Sequence, residues 1–179
     1  MVAQIDKRYI SISLKKTYTR LLSYALYEGR PLTTKGQWVN PFIFLLFKIQ
    51  SALPFAKAVK KPVFILGTGR SGTTILGVTL SIHKHVGFLN EPKALWSFIY
   101  DHEDIIGSYQ SFPGYYRLNA ENVTDEVTRK AQKVFGHYLR FGFAYRLVDK
   151  YPELIFRTDF VKKIFPDAKF LFLFRNGYD

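Results

Sequence analysis

The chain has 179 residues, 47% of them hydrophobic, with no cysteine and a formal net charge of +12. That length suits one domain of ordinary size, and the apolar content supports a real core, which excludes wholesale disorder. The lack of cysteine excludes a disulfide frame, a thiolate metal site and a cysteine nucleophile.

The N-terminal third is the most basic part. Residues 1–60 hold ten Lys and Arg against two Asp and Glu, whereas 61–179 hold sixteen against twelve. Such a bias suggests anionic partners: phosphate or sulfate groups, an anionic membrane surface, or nucleic acid. The first residues contain no apolar core of signal-peptide length, so the expected location is cytoplasmic, with membrane association left open. A helix is expected over 14–28, with its exit at Gly29-Arg30-Pro31. LTTKGQWVNP then reads as a loop, followed by an apolar helix to about residue 58. Lys48, Gln50 and Pro54 interrupt the apolar window 41–59, which makes it a poor membrane span. It either packs against the domain or lies on a membrane surface. Residues 1–60 are expected to form a helical appendage, with its apolar face on the rest of the chain and its basic face outward.

From Pro62 onward strands and helices alternate. Val63–Leu66 reads as a strand buried on both faces, and a helix runs from Thr73 to about Ile82. HVGFLNEP contains a second strand ending at Leu89, and a helix covers Lys93 to about Tyr100. Residues 101–121, rich in aromatics and turn formers, look like an insertion. In TDEVTRKAQKVFGHYLRFGF, Thr124 caps a helix whose apolar face is Val127, Ala131, Val134, Tyr138 and Phe141. AYRLVDK reads as a third strand, LIFRTDFVKKIF as a helix and AKFLFLF as a fourth strand. Alternation of this kind calls for a parallel α/β sheet with flanking helices, an α/β/α layering of P-loop type.

Ligands of such sheets gather beyond the carboxyl ends of the strands. Gly67-Thr68-Gly69-Arg70-Ser71-Gly72-Thr73-Thr74 follows the first strand and Asn90-Glu91 the second. Asp149-Lys150 ends the third strand and Arg175 the fourth. Small residues let loop amides turn toward an anion, and the helix from Thr73 points its positive end at it. Ser71, Thr73 and Thr74 add hydroxyls. The lysine of ATP and GTP loops is absent, and Asp149 is the one candidate for a magnesium ligand. The cation is Arg70, inside the loop. This suits a single 5′-phosphate better than a triphosphate with magnesium.

GTGRSGTT resembles the 5′-phosphosulfate loop of sulfotransferases that use 3′-phosphoadenosine 5′-phosphosulfate (PAPS) as donor, and Arg70 matches the basic residue of that loop. Glu91 in LNEP matches the family's acidic residue after the next strand. Lys150-Tyr151-Pro152 is similar to the Lys-Thr-Pro or Lys-Ser-Pro of bacterial and Golgi-type members, with tyrosine as the departure. FLFLFRNGYD is similar to the last element, which makes Arg175 a 3′-phosphate ligand. The resemblance covers about 61–179 and implies sulfuryl transfer to a hydroxyl or amine of a carbohydrate, lipid or other small acceptor. It implies a loop from Gly67 to Thr74 on the 5′-phosphate, Glu91 as general base, and Lys150 as stabiliser of the transferring group or orienter of the acceptor; the plainer reading of Lys150 is a solvated lysine or an ion pair with a nearby acid. No metal and no nucleic acid is implied. The family's next serine lies past Asp179, so the resemblance also implies either a C-terminal truncation or an incomplete 3′-phosphate site.

Two other classes stay open. A nucleoside or sugar kinase would need magnesium and ATP, and the missing lysine counts against it. A non-enzymatic module would bind membrane or nucleic acid through the basic third, with steep salt dependence. His83, His85, His102 and His137 are too scattered for a metal site. Asp101, Glu103 and Asp104 read as a solvated acidic cluster. Arg157 and Asp159 either line an acceptor pocket or lie on the surface. The aromatics of 101–118 either stack on an acceptor or form a packed flap.

Overall fold

The structure, a computed structural model, describes residues 9, 12–28, 37–105, 107 and 109–176. The expected exit at Gly29-Arg30-Pro31, the LTTKG part of the expected loop and the final turn at 177–179 lie outside them.

Four parallel strands form one sheet: β1 (Val63–Gly67), β2 (Val86–Asn90), β3 (Arg146–Lys150) and β4 (Lys169–Leu173), in the spatial order β2-β3-β1-β4. β1 is central because Phe64, Ile65 and Leu66 are apolar on both faces, and only an inner strand buries both. Alternate residues feed separate cores. Phe64, Leu66, Leu89 and Leu147 join one cluster with Trp96, Phe135 and Phe160, whereas Ile65, Phe88 and Val148 join a second with Val78 and Tyr9.

The described α-helices are α1 (Leu14–Leu22), α2 (Asn40–Ala52), α3 (Thr73–Ser81), α4 (Lys93–Ile99), α5 (Asp125–Phe141) and α6 (Thr158–Ile164). α2, α4, α5 and α6 contribute to the first core and α3 to the second, which gives the three-layer α/β/α arrangement expected from the alternation. Thr124 caps α5 by accepting from the Val127 amide at 3.2 Å, as its sequence signals.

Several expectations need correction. α1 passes at Ser23 into a π-helical turn, Ser23–Tyr27. α2 stops at Ala52 rather than near 58. Leu53 is extended (φ −68°, ψ 140°) because it precedes Pro54, whose ring disfavours helix at the residue before it. Phe141 is exposed rather than part of the buried face of α5, and it stacks on His137 one turn earlier. The helix expected over 154–165 divides into a 3₁₀ segment, Pro152–Phe156, and α6.

α1 and its π turn close the outer edge of β2, where an unpaired strand would expose backbone groups. Lys16 Nζ donates to Val86 O at 2.7 Å, Arg20 to Phe88 O at 2.8 Å, and Glu28 accepts from the Asn90 amide at 2.7 Å. Arg20 and Glu28 also pair at 2.6 Å, both buried. These alternate positions on β2 are the ones that face away from β3. The basic face of α1 therefore points inward, against the expectation, while Leu14, Tyr18 and Leu21 are exposed. On β4, at the opposite side of the sheet, Leu171 and Phe172 are exposed, as is Phe174 just beyond it.

Candidate active site

The turn between β1 and α3 is shaped by its small residues. A Cβ on Gly67 would lie 2.5 Å from Leu173 O and 2.9 Å from both Ser71 Oγ and Thr73 Cγ2, so only glycine lets β4 and the loop pack this closely. Gly72 takes φ 93° at the start of α3, a left-handed conformation that a side chain resists. Ser71 folds the loop on itself, its amide and its hydroxyl both donating to Thr68 O, at 3.3 and 2.7 Å. Leu76 N bonds Gly72 O at 3.1 Å, the first turn of α3. The amides before it have no acceptor within the helix and carry its positive end.

All four strand ends border one cavity of about 530 Å³. The loop and α3 contribute Gly69, Arg70, Gly72, Thr73 and Thr74; β2 contributes Glu91; β3 contributes Lys150; β4 contributes Arg175. Gly67, Thr68 and Ser71 do not line it and serve the shape of the turn. The sequence reading missed Ile75 and Pro152, which also face the cavity. Pro152 carried a signal, as the last residue of Lys150-Tyr151-Pro152; Ile75 carried none.

Glu91 and Lys150 meet directly. Lys150 Nζ donates to Glu91 Oε1 at 2.5 Å, and the Glu91 amide donates to Lys150 O at 2.7 Å. Lys150 is buried, while Glu91 is partly open to the cavity. Glu91 has φ 56° and Arg70 φ 70°, so two charged residues of the cavity hold a conformation that side chains rarely adopt. Strain of this kind costs about 1–3 kcal/mol and gathers at functional sites. Among the described residues that line it, three cations and one carboxylate give the cavity a positive balance.

Asp149, next to Lys150, is not part of this surface. It is fully buried and accepts from Trp96 Nε1 at 2.9 Å. Burial raises its carboxyl well above the usual range, with Trp96 pulling the other way. A buried carboxyl held this way is a poor match for the magnesium ligand considered from sequence. Among the described residues no cluster of His, Asp or Glu could hold a metal ion.

The acidic cluster and Arg157 also need correction. Glu103 and Asp104 are buried, not solvated, and so is Arg157. Arg157 pairs with Glu103 and donates to Tyr115 O at 2.8 Å and Glu103 O at 3.2 Å. Asp104 accepts from the amides of Tyr109 and Gln110. The segment after α4 is thus tied down by buried charges, while its Phe112, Tyr115 and Tyr116 rings stay exposed. Tyr151, buried where the resembling motif has Thr or Ser, sits beside Glu103. Burial raises the Glu103 carboxyl, and Arg157 and then Tyr151 help hold it down. The Arg157 contacts have no local sequence signal, since the partners lie more than forty residues apart, whereas Asp104 bonds amides only five and six residues on.

A family model described as the sulfotransferase family matches residues 62–179. A curated relative, protein-tyrosine sulfotransferase A of Caenorhabditis elegans, is 30% identical over 119 residues, covering 64% of this chain and 30% of that protein. The chain thus spans under a third of the relative's length. No solved structure matches significantly. With strand, loop and helix in the family's order and the match running over most of its length, the chain belongs to the sulfotransferase family.

Proposed function

We propose that the protein transfers a sulfuryl group from PAPS to an acceptor hydroxyl or amine at the carboxyl rim of the sheet. One observation supports this most: Arg70, Glu91, Lys150 and Arg175, from four separate strand ends, border a single cavity. The donor would supply an activated sulfuryl group on a phosphate leaving group. The residues present fit its anionic parts, with the glycine turn, the start of α3 and Arg70 at one end and Arg175 at the other.

Positioning and charge stabilisation carry most of the work in transfers of this class. Loop amides and Arg70 hold the 5′-phosphate and offset the charge that grows on its bridging oxygen. Arg175 holds the 3′-phosphate. Glu91 takes the proton of the attacking hydroxyl, because it is the one carboxylate among the described residues that line the cavity. Lys150 keeps Glu91 oriented in the resting pair and is placed to turn to the transferring group as the acceptor engages Glu91. The relative's name adds a protein tyrosine hydroxyl to the carbohydrate, lipid and small-molecule acceptors worth testing. We also propose that 61–179 is the catalytic unit, that 1–60 supports it, and that the protein works in the cytoplasm.

The test is a titration of PAPS, 3′,5′-ADP, ATP and 5′-AMP into the chain. The expected order places the two 3′-phosphorylated nucleotides first, without magnesium. A preference for ATP that depends on magnesium would replace the reading with a kinase.

A further inference from the structure

α1 is amphipathic in an unusual sense. Its inner face is polar, with Lys16, Thr19 and Arg20 buried on the edge of β2. Its outer face carries Leu14, 84% exposed, with Tyr18 and Leu21 at helical spacing. Surface helices of globular proteins normally do the reverse.

The outer face continues onto the turn between α5 and β3. Tyr18 lies 6.0 Å from Phe143, and Lys15 Nζ lies 5.9 Å from the same ring. Tyr145 follows, with Lys57 Nζ at 4.4 Å and His85 edge-on at 5.2 Å. Phe143 and Tyr145 are more than half exposed. Phe143 also holds φ 51°, the left-handed position after a helix where glycine is the ordinary choice. A bulky ring there is disfavoured by its backbone and left uncovered by the fold. Its ring partners among the described residues are the exposed Tyr18 and Lys15.

The charge around this face is predominantly positive. Slight desolvation of its exposed ring, and then the charges of Lys84 and other neighbours including Lys15 and Lys16, hold His85 below the usual histidine range. Among the described residues before β1, Glu28 is the one acid, and Arg20 neutralises it in the interior. At the same end of the sheet, Asp167 is bonded to the Lys61 amide.

We propose that this face docks on an anionic lipid bilayer surface, with Leu14, Tyr18, Phe143 and Tyr145 at the interface and Lys15 and Lys84 against the headgroups. Exposed aromatics beside lysines are the makeup of interfacial elements. A second copy of the chain would set this positive face against another like it. Among the described residues no helix is long and apolar enough to cross a membrane, so the contact is peripheral. Tyr145 and His85 precede β3 and β2, so the face lies at the amino ends of the strands. A five-residue strand spans about 17 Å, which leaves the candidate active site on the far side, open to solution. The proposal does not depend on the sulfuryl-transfer reading.

Flotation of the whole chain with vesicles tests it. The chain should float with phosphatidylcholine vesicles containing about 30 mol% phosphatidylserine, stay behind with phosphatidylcholine alone, and detach as salt rises. Lys15→Gln with Lys84→Gln should weaken binding by roughly twenty- to thirtyfold, about fivefold for each charge near the surface. Leu14→Ser with Phe143→Gly should remove most of it; the glycine relieves the strained backbone, so folding is retained. Arg70→Ala, at the other rim, should float like the parent. Failure to float on either vesicle would overturn the proposal, as would flotation undiminished by Leu14→Ser with Phe143→Gly. Self-association without vesicles that this double variant abolishes would assign the face to a second copy instead.

Discussion

The two ends of one sheet carry cavities of nearly equal size, about 530 Å³ at the carboxyl ends and about 550 Å³ at the amino ends. They are built differently. At the carboxyl rim four chain segments each deliver one charged group, and Glu91 and Lys150 are locked together at 2.5 Å. Two of the residues there hold left-handed backbone, and buried charges fasten the segment after α4. At the amino rim, which is lined by His83, His85, Val86, Tyr145 and Arg146, His85 and Tyr145 are exposed and the cavity residues include no acid. The contrast fits the two roles proposed for these rims. Chemistry needs groups fixed relative to one another, since misplacement costs rate. Docking on a charged surface needs only sign and apolar area.

The largest expected effect would break the carboxyl rim's side of this contrast. Glu91→Gln should lower turnover by roughly 10²–10⁴-fold, the usual span for loss of a general base, and leave 3′,5′-ADP affinity almost intact. Steady-state rates beside a nucleotide titration check it, and full turnover with Gln at 91 would remove the base assignment. Next comes the segment after α4. Arg157→Met leaves Glu103 buried without its partner, which costs about 3–5 kcal/mol in sites of this kind. Urea unfolding should show that loss, whereas a drop below about 1 kcal/mol would mean that the segment is not fastened by this pair.

Arg175→Ala sharpens the division of labour within the cavity. A hydrogen bond to a charged group contributes about 1.5–3 kcal/mol, so 3′,5′-ADP should bind roughly 10–150-fold more weakly. 5′-AMP, lacking the 3′-phosphate, should hardly change; equal losses for both nucleotides would place Arg175 elsewhere in the site. The smallest effect belongs to the amino rim and has the opposite sign. Phe143→Gly should stabilise the fold by about 1 kcal/mol, because it relieves a left-handed backbone position. A thermal melt measures it, and a lowered melting temperature would show that the Phe143 ring packs usefully in the folded chain.

Much of the carboxyl rim is legible in the linear chain because its parts are local. A strand, a glycine turn and a helix start occupy consecutive residues, so Gly67–Thr74 declares its own geometry. The strand ends carrying Glu91, Lys150 and Arg175 follow from apolar runs of the right length and from the rule that places ligands beyond carboxyl ends. Thr124 as the cap of α5 is local in the same way.

The contacts that tie the elements together are not local, and the sequence is silent on them. Glu103 reads as solvated because an isolated acid usually is; only the fold brings Arg157 to it across 54 positions. The orientation of α1 was misjudged for a related reason. Periodicity from Leu14 to Leu22 determines that one face is apolar and the other polar, and the default turns the apolar face inward. The sequence alone determined that division, along with the strand-turn-helix units and the charge balance. Tertiary structure decided which face of α1 turns in. An edge strand presents carbonyls and amides rather than apolar side chains, so β2 was best covered by Lys16, Arg20 and Glu28, and the apolar face was left to solvent.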